Sequence, residues 1–372
     1  MWFQFSDSEL ARRRHELLGL AEKEGLVGVL CFGENRSGIP ITYLTEWPVT
    51  RQAVCAVTPT ECHLWVSFPN HVPNATRRAR VDSVRHITAS TPEDALALFG
   101  PATAIGTLGP LPPVFGHAAR ERGITLTSLD RQHAELRQIK SAEEITALAR
   151  GAEATDAGAR ALIEACAVGA TDWDLLAAAK QAYTKQGALD HICYICISDM
   201  ANPDRDVPSQ FPEGRAITAT SIITFEISAS VAPEYPGQVL RSIVMSDPID
   251  DVVRLSDIAE DCKRTIKEAM RPGVTAPELI QLSASIEEAG YSTTDDLFHG
   301  FGMGYLEPVA TSSSRFPQHT PTTVLREGMA IVVQPNVVRS DHTLGVQTGE
   351  LVVVESHGVR DLHSLPTGLI RR

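Results

Sequence analysis

The stretch Gly169-Ala-Thr-Asp-Trp-Asp-Leu-Leu176 returns in altered form as Gly273-Val-Thr-Ala-Pro-Glu-Leu-Ile280. In both copies a Gly-x-Thr turn lies between two helical patterns, and the threonine is suited to cap the second helix. Strand-like sequence follows each copy, from Ile192 and, more weakly, from Phe298. Gly-x-Thr before a helix is also a common cap. We nevertheless interpret the two copies as a duplicated helix–turn–helix–strand unit, which predicts a domain with pseudo-twofold symmetry.

Two capping-box signals indicate where the domains begin. Ser6-Asp-Ser-Glu9 opens the first helix, and Ser141-Ala-Glu-Glu144 opens a long amphipathic helix of about seven turns. Between them, helical patterns alternate with three apolar runs typical of strands, Val27–Phe32, Ala53–Thr58 and His63–Phe68. This alternation predicts a smaller α/β domain over residues 1–135 and a larger domain over residues 136–372.

Composition excludes several classes of protein. The 372 residues carry a net charge of −13, without the basic surplus of a nucleic-acid-binding protein. No apolar run reaches the roughly 18 residues that a membrane span needs. The seven cysteines are odd in number and scattered, which is typical of reduced thiols rather than a disulfide framework. Because residues 1–10 also lack the order of a signal peptide, we expect a cytoplasmic protein.

Further motifs occur in a fixed order along nearly the whole chain. They are Tyr43-Leu-Thr45, Trp47-Pro-Val49, Arg137-Gln-Ile-Lys-Ser-Ala-Glu-Glu-Ile145, Pro272-Gly-Val-Thr275, His299-Gly-Phe-Gly-Met-Gly-Tyr-Leu-Glu-Pro308, Leu325-Arg-Glu-Gly-Met-Ala-Ile-Val-Val-Gln-Pro335 and Gly345-Val-Gln-Thr-Gly-Glu-Leu-Val-Val-Val354. No single motif decides the matter. As an ordered set they resemble the creatinase / aminopeptidase P / prolidase family, peptidase family M24.

The resemblance implies an α+β protein with a "pita-bread" C-terminal domain. Such a domain has a curved antiparallel sheet, flanking helices and an internal pseudo-twofold, and a smaller α/β domain precedes it. The resemblance also implies a homodimer in which the N-terminal domain contributes to the partner's site. Arg51 resembles an arginine that creatinase places on its substrate's carboxylate across the dimer. The alternative for Arg51 is a solvated surface position.

Peptidases of this family hold two divalent metals with five side chains, because paired dications need carboxylates to neutralise them. The resemblance matches these five positions to Glu226, Gln238, His299, Gln334 and Gly349. Two amides and a glycine supply neither the charge nor the ligands of a dinuclear centre. We therefore expect a member that has lost most metal ligands and has no metal or other cofactor. A single weak ion at Glu226 and His299 is left open.

The remaining polar residues are expected to face one cavity. His299 is the candidate acid/base residue, and Glu226 would orient it and favour its imidazolium form. Gln238 and Gln334 would bind polar atoms of the substrate, or else pair with each other where the metals were lost. The other candidates for substrate binding are Glu307, Glu350 and Arg241, with structural contacts as the alternative. A polar loop over residues 312–319 would border this cavity.

These features favour a metal-independent, creatinase-like enzyme that cleaves a C–N bond of a small polar metabolite by acid/base catalysis. It would be a hydrolase, or a lyase or cyclase that uses the same residues. The substrate would carry a carboxylate or a cationic nitrogen. One alternative is an Xaa-Pro peptidase with a degenerate metal site, and a second is a non-catalytic binding protein on the same fold. Neither a nucleic acid nor a membrane is expected as a partner.

Overall fold

The computed structural model describes residues 3–231, 234–312 and 321–372. The predicted polar loop at 312–319 lies outside the described residues, apart from Ser312. The chain forms two compact units that divide between Arg137 and Gln138. The first unit is Gln4–Arg137, and the second is the described part of Gln138–Arg372 together with Phe3.

The first unit is built on a six-stranded mixed sheet. Its strands are β1 (Val29–Glu34), β2 (Gln52–Val57), β3 (Cys62–Val66), β4 (Ser83–His86), β5 (Ala104–Leu108) and β6 (Thr125–Ser128), in the order β4-β3-β2-β1-β5-β6. Its helices are α1 (Asp7–Lys23), α2 (Ile39–Thr45), α3 (Val72–Arg78), α4 (Thr91–Ala97), α5 (Pro113–Glu121) and α6 (Asp130–Leu136), with a 3-10 turn at Pro69–His71. The three predicted strands correspond to β1, β2 and β3. Their apolar side chains pack into one core.

The second unit contains five helices and twelve strands among the described residues. The helices are α7 (Ala142–Ala165), α8 (Asp172–Lys185), α9 (Asp250–Ala269), α10 (Ala276–Gln281) and α11 (Ala284–Glu288). The strands are β7 (Leu189–Asp199), β8 (Ser221–Ser230), β9 (Val239–Val244), β10 (Ser292–Thr293), β11 (Phe298–Gly300), β12 (Leu306–Ala310), β13 (Ala330–Val333), β14 (Val337–Val338), β15 (Gly345–Val346), β16 (Gly349–Glu355), β17 (Gly358–Asp361) and β18 (Ile370–Arg371).

Most of these strands form one large sheet in the order β12-β11-β13-β16-β9-β8-β7, and every neighbouring pair in this path is antiparallel. Strand β17 adds to β16, and β18 runs parallel to β9. Two apolar clusters, one formed with α7 and α8 and the other with α9 and α10, cover the two halves of the sheet. The α+β architecture with a flanked antiparallel sheet is therefore confirmed.

The two echoed turns occupy equivalent places in the fold. Thr171 caps α8 and Thr275 caps α10, each with a complete capping box. Ser141 begins α7 in the same way, and the 24 residues of that helix agree with the predicted seven turns. The second copy differs because its helix is interrupted between α10 and α11. The helix starts predicted at Ser141, Thr171 and Thr275 are thus confirmed.

The two halves of the large sheet meet where β9 pairs with β16. Only two residue pairs make this junction, Gly349 with Leu240 and Glu350 with Val239. By contrast, β7 and β8 pair along ten positions. The junction places the residue before β9 close to the end of β13, which is where the candidate site lies.

Among the described residues, no helix is both long enough and apolar enough to cross a membrane.

Candidate active site

A cavity of about 440 Å³ opens in the second unit beside the junction of β9 and β16. Three of the predicted site residues line it: Glu226 on β8, Gln238 just before β9, and Gln334 just after β13. The full lining is His191, Ile192, Tyr194, Val207, Pro208, Gln210, Glu226, Gln238, Thr294, Asp295, Phe301, Tyr305, Gln334 and Gln347. The lining is mixed polar and aromatic, as a site for a small ligand requires.

A chain of buried hydrogen bonds joins the predicted residues to one another. The Gln238 Nε2 atom donates to Glu226 Oε1 at 2.6 Å and to Gln334 Oε1 at 3.1 Å. The Gln334 Nε2 atom donates in turn to Asp295 Oδ2 at 3.2 Å. The Gln238 amide therefore donates to oxygens of two side chains, and the Gln334 amide donates to an oxygen of a third, Asp295. The amide pairing considered from the sequence is present, and it reaches an aspartate that the sequence analysis missed.

A buried pair, His363 and Asp156, fixes the backbone of Gln238. Its backbone N–H donates to His363 Nε2 at 3.2 Å, and His363 Nδ1 lies 2.6 Å from Asp156 Oδ1 on α7. The side chains of His363 and Asp156 are each only 1% exposed. Because Nε2 accepts the amide hydrogen, Nδ1 carries the proton of this imidazole. The pair fixes the backbone from which the Gln238 side chain enters the cavity.

Burial changes the ionisation of Glu226. It raises the pKa of this carboxyl to about 8, and the neighbouring charges of Asp295 and Asp296 add to the effect. Glu226 is therefore largely protonated near neutral pH. The raised pKa does not support the expectation that Glu226 promotes the charged form of His299, since a neutral carboxylic acid does not attract a proton to the imidazole.

His299 is fully buried and does not line the cavity. Its Nδ1 atom lies 3.2 Å from the Gly300 carbonyl oxygen, which can only accept, so Nδ1 carries the proton. Its Nε2 atom has no hydrogen-bond partner within the described ranges. Burial lowers the pKa of His299 to about 4, although Gly300 and the Gln334 side chain oppose this shift. The imidazole is thus neutral, with a lone pair on Nε2.

Glu350 and Arg241 form an internal ion cluster and do not bind in the cavity. The Arg241 Nη2 atom donates to Glu350 Oε2 at 2.7 Å, and Nη1 donates to the Gly349 carbonyl at 2.7 Å. Lys267 Nζ donates to the other carboxylate oxygen, also at 2.7 Å. Although burial opposes it, the cations Lys263, Arg241 and Lys267 lower the pKa of Glu350 to about 2. The prediction that these two residues bind substrate is wrong, because their charges already satisfy each other.

Glu307 was also expected to face the cavity, and this is wrong. Its side chain is exposed, and its Oε2 atom accepts the backbone N–H of Val309 at 3.1 Å. It lies on β12 and does not line the cavity.

Arg51 belongs to the first unit, where it is exposed and its Nη1 atom lies 3.5 Å from Asn35 Oδ1. Its role across a dimer stays a prediction.

The acidic pair Asp295 and Asp296, which precedes β11, belongs to the site although it was not predicted from the sequence. Asp295 lines the cavity, and Asp296 accepts a hydrogen bond from the Tyr305 hydroxyl at 2.5 Å. The signal was available as two consecutive aspartates shortly before His299. Gln347 was missed too. Its side chain is 4% exposed and lines the cavity, and its Oε1 atom has no partner among the residues described.

The donor set does not fit a dinuclear metal centre. In the described part of the chain, no group of three or more His, Cys, Asp or Glu side chains is arranged to hold a metal ion. Both amides at ligand positions donate hydrogen to oxygens, so their N–H groups occupy the space between the carboxylates. A Cβ atom at Gly349 would lie 2.7 Å from Gln334 Cβ and 2.8 Å from Leu240 Cδ1. No ligand side chain fits there without movement.

Replacing Glu226 by glutamine should change how stability depends on pH. The folded carboxyl keeps its proton up to about pH 8, whereas its unfolded pKa is 4.5. The wild type therefore loses stability as pH rises between these values, and Glu226→Gln does not. We expect the variant's melting temperature to exceed that of the wild type by at least about 2 °C at pH 9, but not at pH 4.5. Differential scanning calorimetry across this range measures it. An equal difference at all pH values, or a matching trend in the exposed Glu164→Gln, would contradict the assignment.

Removing the Arg241 cation should destabilise the second unit strongly. Arg241→Met leaves Glu350 buried beside unmatched carbonyl groups, and breaking a buried ion pair costs about 3–5 kcal/mol. Arg264→Met removes an exposed arginine from an i,i+4 pair and should cost no more than about 1 kcal/mol. Urea unfolding followed by circular dichroism compares the two. Equal losses of unfolding free energy in the two variants would show that the buried Arg241 cluster contributes no more to stability than an exposed ion pair.

Known proteins resemble part of this chain in sequence. The Xaa-Pro dipeptidase of Pyrococcus furiosus is 25% identical over 232 residues, which cover 61% of this chain and 64% of that protein. The probable dipeptidase PepE of Mycobacterium tuberculosis is 24% identical over 239 residues, covering 63% and 61%. The chain thus spans less than two thirds of the length of these curated relatives.

Solved structures match over nearly the whole chain. The prolidase from Pyrococcus horikoshii has a TM-score of 0.80 at 20% identity, covering 96% of this chain and 99% of that one. The dipeptidase PepE from Mycobacterium ulcerans has a TM-score of 0.82 at 21% identity and covers 99% of both. This likeness confirms the expected fold. The family model of metallopeptidase family M24 matches residues 146–356, more than half of the chain, and the chain therefore belongs to that family.

Proposed function

We propose that this M24 protein is a hydrolase that cleaves a C–N bond of a small polar molecule without a dinuclear metal centre. One observation carries the proposal: the Gln238 amide donates to both Glu226 and Gln334, at positions where the family places metal ligands. An amide hydrogen directed at each oxygen supplies the positive end that a cation would otherwise provide. This hydrogen bonding supports a site without a dinuclear metal centre.

The cavity favours a substrate with a cationic nitrogen over one with a carboxylate. Asp295 lines it, and no lysine or arginine stands among its lining residues within the described ranges. The buried atoms Gln347 Oε1 and Thr294 Oγ1 have no hydrogen-bond partner in the part of the chain that the structure describes. Buried acceptors without partners are unfavourable, and N–H groups of a ligand would satisfy them. The aromatic rings of Tyr194, Phe301 and Tyr305 add faces that attract cations.

The opposite pKa shifts of His299 and Glu226 suggest which residue acts as the base and which as the acid. His299 is unprotonated near neutral pH and can take a proton from water through Nε2. Glu226 is protonated and can give its proton to the departing nitrogen. In the reaction, the water oxygen bonds to the carbon, the C–N bond breaks, and a proton returns from His299 to Glu226. Environments that push two groups apart in pKa typically mark the base and the acid.

The second candidate is an Xaa-Pro peptidase with a degenerate site. It is favoured by the names of the relatives, which are Xaa-Pro dipeptidases and prolidases. It is opposed by the donor set, since peptide hydrolysis in this family uses two metals to generate the nucleophile. A non-catalytic binding protein is the third reading. The open cavity disfavours a non-catalytic protein, whereas the burial of His299 favours one.

We also propose a cytoplasmic homodimer whose N-terminal unit serves the partner's site through Arg51. The free, buried state of all seven cysteines supports a reducing compartment. The exposure of Arg51 leaves it available for a ligand or a partner subunit.

Metal content separates the first two candidates. Protein expressed and purified with manganese, zinc and iron supplied should contain less than about a tenth of an equivalent of metal per chain. Turnover should be sought on Xaa-Pro dipeptides and on small amides and amidines, with and without a chelator. We expect chelator-resistant turnover of the small compounds and its loss in His299→Ala. Two equivalents of metal, or chelator-sensitive dipeptide cleavage, would establish the peptidase instead.

Restoring the family's carboxylates should destabilise the protein when metal is absent. Gln238→Asp with Gln334→Glu puts two more acids beside Glu226 and Asp295, at a cost of several kcal/mol when they are buried without cations. The control, Gln181→Glu with Gln281→Glu, adds the same charge at exposed helix positions. Melting temperatures in metal-free buffer compare the pairs. An unchanged or raised value for the first pair would show that the site is not a closed, metal-free network.

A further inference from the structure

Two aromatic rings separate His299 from the cavity. The Phe301 ring meets the imidazole edge-on, with centroids 5.4 Å apart. The Tyr305 ring stacks on it, with centroids 3.8 Å apart and an interplanar angle of 19°. Both rings line the cavity, whereas the imidazole does not. His299 therefore lies behind this pair of rings.

The two rings differ in how firmly they are held. Phe301 is 3% exposed, and its backbone N–H donates to the Ala330 carbonyl at 2.8 Å. Tyr305 is 53% exposed, and its hydroxyl donates to Asp296. Gly302 and Gly304, with φ values of 147° and 82°, separate Tyr305 from β11. Such backbone suits glycine and allows a change of direction. Tyr305 is thus the ring that can move.

We propose that Tyr305 controls access to His299. The Tyr305 ring covers one face of the imidazole in this structure, and it lines the cavity where His299 does not. We expect a ligand from the cavity to reach Nε2 after this ring leaves the stack. Tyr305 is in this sense a specificity residue, since a ligand must fit the space that the ring vacates. The hydrogen bond from Tyr305 to Asp296 holds the ring over His299. The imidazole is uncovered when this bond and the stack both break.

The unpartnered Nε2 atom is the reason why access matters. Within the described ranges no group donates to this buried nitrogen, and a bound water or ligand group would satisfy its lone pair. Access to Nε2 is independent of the reaction proposed above, and it can be measured without a known substrate.

Chemical modification of histidine measures the cover directly. Diethyl pyrocarbonate attacks unprotonated imidazole, and burial keeps His299 unprotonated near neutral pH. A slow reaction therefore reports covering and not charge. Peptide mass spectrometry gives the rate at His299 and at two references in the same sample. His117, with a side chain 67% exposed, is the open reference, and His363, 1% exposed, reports intact folding of the second unit.

We expect His299 in the wild type to react at least about tenfold more slowly than in Tyr305→Ala, as for an open state of about 10% population or less. Tyr305→Phe keeps the ring but loses the Asp296 bond, and should react at an intermediate rate. Phe211→Ala removes an exposed aromatic ring that does not line the cavity and should change nothing. His363 should stay protected throughout.

Two results would overturn the proposal. One is an unchanged His299 rate in Tyr305→Ala, which would mean that other groups seal the imidazole. The other is wild-type His299 reacting as fast as His117. If Tyr305→Ala also exposes His363, the variant has lost its fold and Tyr305→Phe decides. A rate above that of the wild type with His363 protected then supports the cover, and an unchanged rate refutes it.

Discussion

The second unit depends on the buried charge at the junction of β9 and β16. Only two residue pairs connect these strands, so the backbone ladder alone joins the halves of the sheet weakly. Arg241 spans the junction and donates to Glu350 and to the carbonyls of Gly349, Leu365 and Pro366. A charged fork with five donors can satisfy several carbonyls and a carboxylate at once, which no apolar side chain at this position could do.

The candidate site uses the same junction. Gln238 enters from the start of β9 and meets Gln334, which lies beyond the end of β13, so the amide contact crosses from one half of the sheet to the other. Asp156 and His363 fix the backbone of Gln238 from behind. The cluster around Arg241 and the network around Gln238 are therefore adjacent but separate. In the first, cations neutralise the Glu350 carboxylate, and the second lines the cavity.

Burial decides the chemistry of this site more than charge does. From the sequence, Glu226 is expected to favour the charged form of His299. Here desolvation raises the pKa of Glu226 and lowers the pKa of His299. Glu226 therefore keeps its proton, and His299 is neutral. Desolvation always disfavours the charged form, and two neighbouring aspartates strengthen it at Glu226. The result is a neutral acid and a neutral base close to an acidic cavity.

The sequence by itself determined the elements and the family. Helix caps at Ser141, Thr171 and Thr275 are local signals, because a side chain three residues away satisfies the first turn. The resemblance likewise matches the family's metal-ligand positions to two glutamines and a glycine from the sequence alone. Tertiary structure alone decided which polar residues share the cavity. Glu350 and Arg241 satisfy each other at the junction, and Tyr305 covers His299, because partners distant in sequence set the burial and pairing of each group.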